Sequence, residues 1–92
     1  MHFTALWQVN DTLDVPGPSE LEALAVGDYA KLIFVFDGDK KERMWVKVTD
    51  NPFPFFEGIL DNDSYYPPAL IVGEPISFEA QHIADLLIRK DN

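Results

Sequence analysis

The sequence predicts a small, mainly β domain, and three observations carry that prediction. Short runs alternate apolar with other residues, as in Met44-Trp45-Val46-Lys47-Val48-Thr49 and Phe55-Phe56-Glu57-Gly58-Ile59-Leu60. Turn-forming clusters separate the runs: Asp37-Gly38-Asp39-Lys40, Asp50-Asn51-Pro52 and Asp61-Asn62-Asp63-Ser64. The chain is also rich in core-forming side chains. It is 92 residues long and 47% hydrophobic, with seven Phe, three Tyr and two Trp, which suits one packed domain over residues 1–92 and leaves no room for two.

In chain order, Phe3 to Val9 reads as a first strand with Phe3, Ala5, Trp7 and Val9 on one face. A Pro/Gly-broken connection follows through Pro18. Ser19-Glu20-Leu21-Glu22 has the form of a capping box, so the spacing predicts a helix of about two turns over 20–25, closed by Gly27. Tyr29 to Phe36 is apolar on both faces, as a central strand is. Asp37-Gly38 turns the chain into a returning strand, Glu42 to Thr49, and the two form a hairpin. Its Met44, Val46 and Val48 share one face, and Trp45, Lys47 and Thr49 the other.

Phe55 to Leu60 is the next strand. Tyr65-Tyr66-Pro67-Pro68 is extended but excluded from a central strand, because the prolines lack amide donors. Ile76 to Glu79 is a short strand. The tail from Ala80 to Ile88 fits either a helix or a tight turn at Ala80-Gln81-His82 followed by a strand. Leu24-Ala25-Val26-Gly27-Asp28 is echoed by Leu70-Ile71-Val72-Gly73-Glu74, and each precedes a strand. The echo marks two equivalent turns. Five or six strands, tight turns and a helical turn before the last strand together predict an SH3-like barrel with one short helix. Closing the barrel also removes exposed edges.

The segments Glu42 to Thr49, Phe56 to Asp63 and Val72 to Phe78, followed by His82-Ile83-Ala84-Asp85, resemble the YegJ-like bacterial domain of unknown function. Trp45-Val46-Lys47-Val48 matches its Trp-Val-x-Val strand. The resemblance spans about residues 24–88 and leaves residues 1–20 outside it. Pro75 departs from the pattern. The resemblance implies a compact β domain of bacterial or phage type and no assigned activity, so no functional residue is carried over.

Catalytic chemistry finds little to work with. There are no cysteines, which excludes thiolate catalysis, disulfides and thiolate metal sites, and tilts toward a reducing, cytoplasmic setting. No signal-peptide pattern opens the chain, and no apolar run reaches the roughly 20 residues of a membrane span. The only histidines are His2 and His82; no Gly-x-Ser-x-Gly elbow or glycine-rich phosphate loop exists. Asp37-Gly38-Asp39 and Asp61-Asn62-Asp63 resemble calcium loops, but Val48 and Val72 stand where each would need a bidentate Glu. The chain therefore reads as a non-enzyme with no cofactor or metal.

The charge distribution points to binding. Net charge is −9, which opposes polyanions such as nucleic acid and anionic membrane. No Lys or Arg occurs between Val48 and Ile88, a stretch that holds Asp50, Glu57, Asp61, Asp63, Glu74, Glu79 and Asp85. Trp45 and Tyr29 lie near Lys31, Arg43 and Lys47, a nucleic-acid-like strip that the rest of the chain opposes. Phe53-Pro54-Phe55-Phe56 and Tyr65-Tyr66-Pro67-Pro68 form two aromatic–proline clusters around one strand. In SH3-like folds such clusters grip extended peptides, unless they simply close the core.

Two readings follow. One is a protein-interaction domain with an aromatic–proline rim at Phe53, Tyr65 and Tyr66. The other is an acidic inhibitor or immunity-type protein that masks a partner's basic site with Asp50, Glu57, Asp61 and Asp63. Trp45 belongs with the candidate partner-binding residues, and an exposed Trp or Phe face equally serves a homodimer. Small-molecule binding in the barrel mouth is a third class.

Overall fold

In the computed structural model, which describes residues 3–9, 16–62 and 70–88 and only the backbone of Asp39, six strands form one antiparallel sheet. They are β1 (Phe3–Leu6), β2 (Tyr29–Phe36), β3 (Lys40–Asp50), β4 (Phe55–Leu60), β5 (Pro75–Glu79) and β6 (Ile83–Leu87). A short helix, α1 (Pro18–Glu22), precedes β2, and single 3-10 turns occupy Asp37–Asp39 and Ala80–His82. Strands β2 to β5 run as a meander, and β6 returns to pair with β2, nearly closing a barrel. β1 and β6 share one edge of β2: β1 pairs along Phe34–Phe36, and β6 along Tyr29–Leu32. This is the predicted small SH3-like barrel. The tail resolves as a turn plus strand, since pairing with β2 satisfies backbone groups that a terminal helix would leave without a sheet partner.

Alternation sets the core. Ala30, Leu32, Phe34 and Phe36 of β2 face inward, as do Met44, Val46 and Val48 of β3 and Phe56 and Leu60 of β4. Phe56 stacks on Phe78 at 5.4 Å. Gly58, the register partner of Val48, packs tightly against β3. A Cβ there would stand 2.5 Å from the Lys47 carbonyl oxygen and 2.5 Å from Val46 Cγ1.

β5 forms the open seam. Leu60 N–H bonds the Glu74 carbonyl and Ala80 N–H bonds the Pro54 carbonyl. Antiparallel alternation therefore turns the backbone groups of Pro75, Ser77 and Glu79 away from β4. Pro75 loses no ladder bond at that edge, which explains a proline within a strand. A cleft of about 370 Å³ separates β5 from Phe3 and Leu6 of β1.

The echoed segments are built alike. Leu24 and Leu70 are both buried anchors at 1% exposure. Gly27 and Gly73 have φ of 97° and 91°, the left-handed region that glycine enters freely. Gly27 N–H donates to the Val48 carbonyl at 2.9 Å, and Gly73 N–H to the Leu60 carbonyl at 2.8 Å. Each segment thus anchors on a leucine, turns at glycine and ties to the end of a strand.

Two local expectations are corrected. The helix spans Pro18–Glu22 rather than 20–25. Pro18 supplies a ready-made first helical position, Gly17 is the cap, and Glu20 rather than Glu22 accepts from the cap N–H, at 3.3 Å. Gly27 closes the following turn instead of the helix. In β1 a bulge between Phe3 and Ala5 breaks the alternation. Phe3 and Leu6 pack on the core while Ala5 and Trp7 are exposed, so Phe3, Ala5 and Trp7 do not share a face.

Candidate functional site

Two surfaces of opposite chemistry lie on different ladders of the barrel. The first is built at the turn from β3 into β4. Asn51 Nδ2 donates to the Leu24 carbonyl at 2.9 Å, pinning the turn to a buried anchor. Phe55 N–H bonds the Pro52 carbonyl and Ala80 N–H bonds the Pro54 carbonyl, both at 2.9 Å, so the segment is held at both ends. The Phe53–Pro54 peptide is cis. Phe56 points inward. Phe53 and Phe55 stay 45% and 58% exposed, which rules out the reading in which all three close the core. Phe53 sets its ring edge-on to Phe56 at 6.1 Å.

Phe55 and Pro52 wall one side of a groove of about 280 Å³, which Phe56 and Phe78 reach from the core. Its polar lining includes the acidic residues Asp50, Glu57 and Glu79. Asp50 and Glu57 meet because they are register partners between β3 and β4. His82 lines this groove and also the β1–β5 cleft. Its Nδ1 accepts the Glu79 N–H at 2.9 Å. Burial holds its pKa below the ordinary histidine value, against the opposing pull of the Glu79 carboxylate.

The second surface is the outer face of the β2–β3 ladder. Register places Tyr29 opposite Lys47, Lys31 opposite Trp45, Ile33 opposite Arg43 and Val35 opposite Lys41. Four of the chain's seven Lys and Arg residues therefore share one face. Lys31 Nζ sits 4.9 Å from the centroid of Trp45, and Lys41 Nζ 4.3 Å from that of Trp7. Trp7 reaches this face because the β1 bulge turned it outward. It stands with Lys41 and Arg43 around a hollow of about 410 Å³ lined also by Ile33, which is itself only 8% exposed.

Of the residues singled out from sequence, Phe53 and Glu57 fall at or beside the groove. Asp61 does not: it sits at the far end of β4, where its N–H bonds the Trp45 carbonyl at 3.0 Å. The neighbouring Asn62 accepts the Trp45 N–H through its side chain, continuing the ladder past β4. Trp45 belongs to the cationic face, away from Phe53. Asp63, Tyr65 and Tyr66 lie outside the described residues. No family model, curated protein or solved structure matches this chain.

Sequence reasoning placed Phe55 in an aromatic–proline cluster without choosing it as a binding residue, and passed over Glu79 and His82. The β4 alternation already put Phe55 opposite the buried Phe56, which was the available signal. It also passed over Trp7, whose bulge left no mark in the sequence. Among the described residues no group of three or more His, Asp or Glu is placed to hold a metal ion, and no helix is long and apolar enough to cross a membrane.

Proposed function

We propose that this chain is a non-catalytic protein-interaction domain whose binding surface is the groove beside Phe53 and Phe55. The carrying observation is one concave surface lined by the exposed ring of Phe55 and by three acidic residues, with the half-exposed Phe53 next in the chain to its Pro52 wall. Aromatic walls favour an extended or proline-containing segment, and the carboxylates favour a Lys or Arg on it. The acidic-inhibitor reading draws on the same groove, since Asp50, Glu57 and Glu79 would meet a partner's basic site. Asp61 stands apart from that set.

Salt separates the two contributions. A partner held mainly by carboxylates is lost as ionic strength rises, whereas one held by the rings persists. The test is affinity capture at about 50 mM and about 300 mM salt, repeated with Phe55→Ala and Glu57→Gln. The reading expects a partner retained at both salts and lost with Phe55→Ala. Retention by both variants, as by the unaltered chain, contradicts it.

A further inference from the structure

We propose that the outer face of β2–β3 is a binding site for single-stranded nucleic acid, with the hollow beside Trp7 taking an unpaired base and Lys41 and Arg43 its phosphate. Net charge alone argues against a polyanion. The fold changes that argument by segregating charge. β4, β5 and β6 all lie within the Lys- and Arg-free stretch from Thr49 to Ile88, while Lys31, Lys41, Arg43 and Lys47 gather on the ladder of β2 and β3. Lys41 to Lys47 spans about 20 Å of extended strand. At physiological salt the screening length is about 8 Å. A strand laid along this face therefore feels the local cations much more than the distant carboxylates.

The rings separate this ligand from a merely acidic one. Cations alone would suit an acidic peptide. Here they interleave with Trp7, Trp45 and Tyr29 on one sheet face, the combination that holds unpaired bases by stacking and their backbone by charge. The hollow adds the nearly buried side of Ile33 to the wall of Trp7. Lys41 lies over the Trp7 ring in the free protein. An entering base takes that place, and the displaced ammonium pairs with the phosphate beside it. Asp85, the register partner of Lys31 on β6, and Asp61, next to Trp45, confine the strongest attraction to the Lys41–Arg43 end.

The test is fluorescence anisotropy with a dye-labelled dT12 oligonucleotide, across about 30–300 mM salt. Four phosphate contacts on a single strand predict a slope of log K against log salt near −3. Lys41→Ala with Arg43→Ala reduces that slope by about 1.4. Trp7→Ala weakens binding at least about fivefold and leaves the slope unchanged, because stacking is not salt-linked. Thymidine monophosphate and a hexaglutamate peptide serve as competitors. Competition by the nucleotide at equal phosphate concentration assigns the hollow to a free nucleotide, and weaker competition assigns it to a strand. Binding of hexaglutamate as tight as that of dT12, with Trp7→Ala silent, overturns the proposal and makes the face a docking surface for acidic protein. Undetectable dT12 binding at about 30 mM salt also overturns it. Phe55→Ala leaves dT12 binding unchanged, so this result and the groove reading stand or fall separately. Circular dichroism on each variant verifies that it is folded.

Discussion

Replacing Gly58 by alanine should destabilise the barrel sharply. The added Cβ would lie 2.5 Å from both the Lys47 carbonyl oxygen and Val46 Cγ1. Relief to an ordinary 3.4 Å contact needs about 0.9 Å of movement. Neither neighbour can give easily. Val46 is fully buried, and the Lys47 carbonyl belongs to the β3 backbone beside the β3–β4 bulge. Overpacking of this kind costs about 1–3 kcal/mol, and a strained ladder bond adds about 1 kcal/mol. The sum, about 2–4 kcal/mol, is a large part of the roughly 5–14 kcal/mol expected for a chain this long. At about 4–8 °C per kcal/mol, the thermal midpoint should fall on the order of 10–30 °C. The assay is thermal and urea unfolding followed by circular dichroism. Gly17→Ala is the control, because its nearest neighbour is 3.8 Å away and it should cost no more than the weaker capping of alanine, about 0.5–1 kcal/mol. A Gly58→Ala midpoint indistinguishable from that of Gly17→Ala would refute the packing argument.

Three further outcomes are expected. Gly27→Ala and Gly73→Ala should each cost about 1–2 kcal/mol in urea unfolding, because alanine is strained at φ near 90°; equal costs would support the equivalence of the two turns, and a neutral result at either would deny it. Asn62→Ala should cost about 1–2 kcal/mol by leaving the Trp45 N–H without its side-chain acceptor, and amide exchange at Trp45 should speed up. For His82, the folded pKa lies below the unfolded one. The unfolded chain therefore takes up a proton first, and stability present above about pH 6.5 is lost as pH falls toward the folded pKa. His82→Gln, which can still accept the Glu79 N–H, should flatten that slope in midpoints measured from pH 7.5 to 5; an unchanged slope would exclude His82 as its source.

Much of the fold was legible because pleat alternation is local. Met44, Val46 and Val48 on one side, and Phe56, Gly58 and Leu60 on another, follow directly from a period of two. The echo around Gly27 and Gly73 was legible for a similar reason, since an anchor, a glycine and an acid carry their own turn geometry. What the sequence missed or left incomplete came from non-local geometry. The β1 bulge depends on how Phe3 and Leu6 both fit the core, so Trp7 turned outward without warning. The cationic face depends on register. Its signal was present, because a three-residue turn at Asp37–Asp39 pairs Phe36 with Lys40 and so sets Lys31 beside Trp45. The sequence suggested Tyr29, Lys31, Arg43, Trp45 and Lys47 as a strip, and net charge weighed against it; Lys41 and Trp7 joined that face only in the fold. At the groove, Glu79 comes from a strand about twenty residues beyond Glu57, and only the β4–β5 pairing brings them together.

The groove is tested most directly by a ¹⁵N chemical-shift titration with extended peptides that vary in proline and arginine content. The account predicts that an arginine- and proline-bearing peptide shifts amides at Asp50, Phe53, Phe55, Glu57, Glu79 and His82, and that Phe55→Ala weakens it about tenfold or more. Shifts confined to β2 and β3, or binding that Phe55→Ala leaves intact, would contradict it.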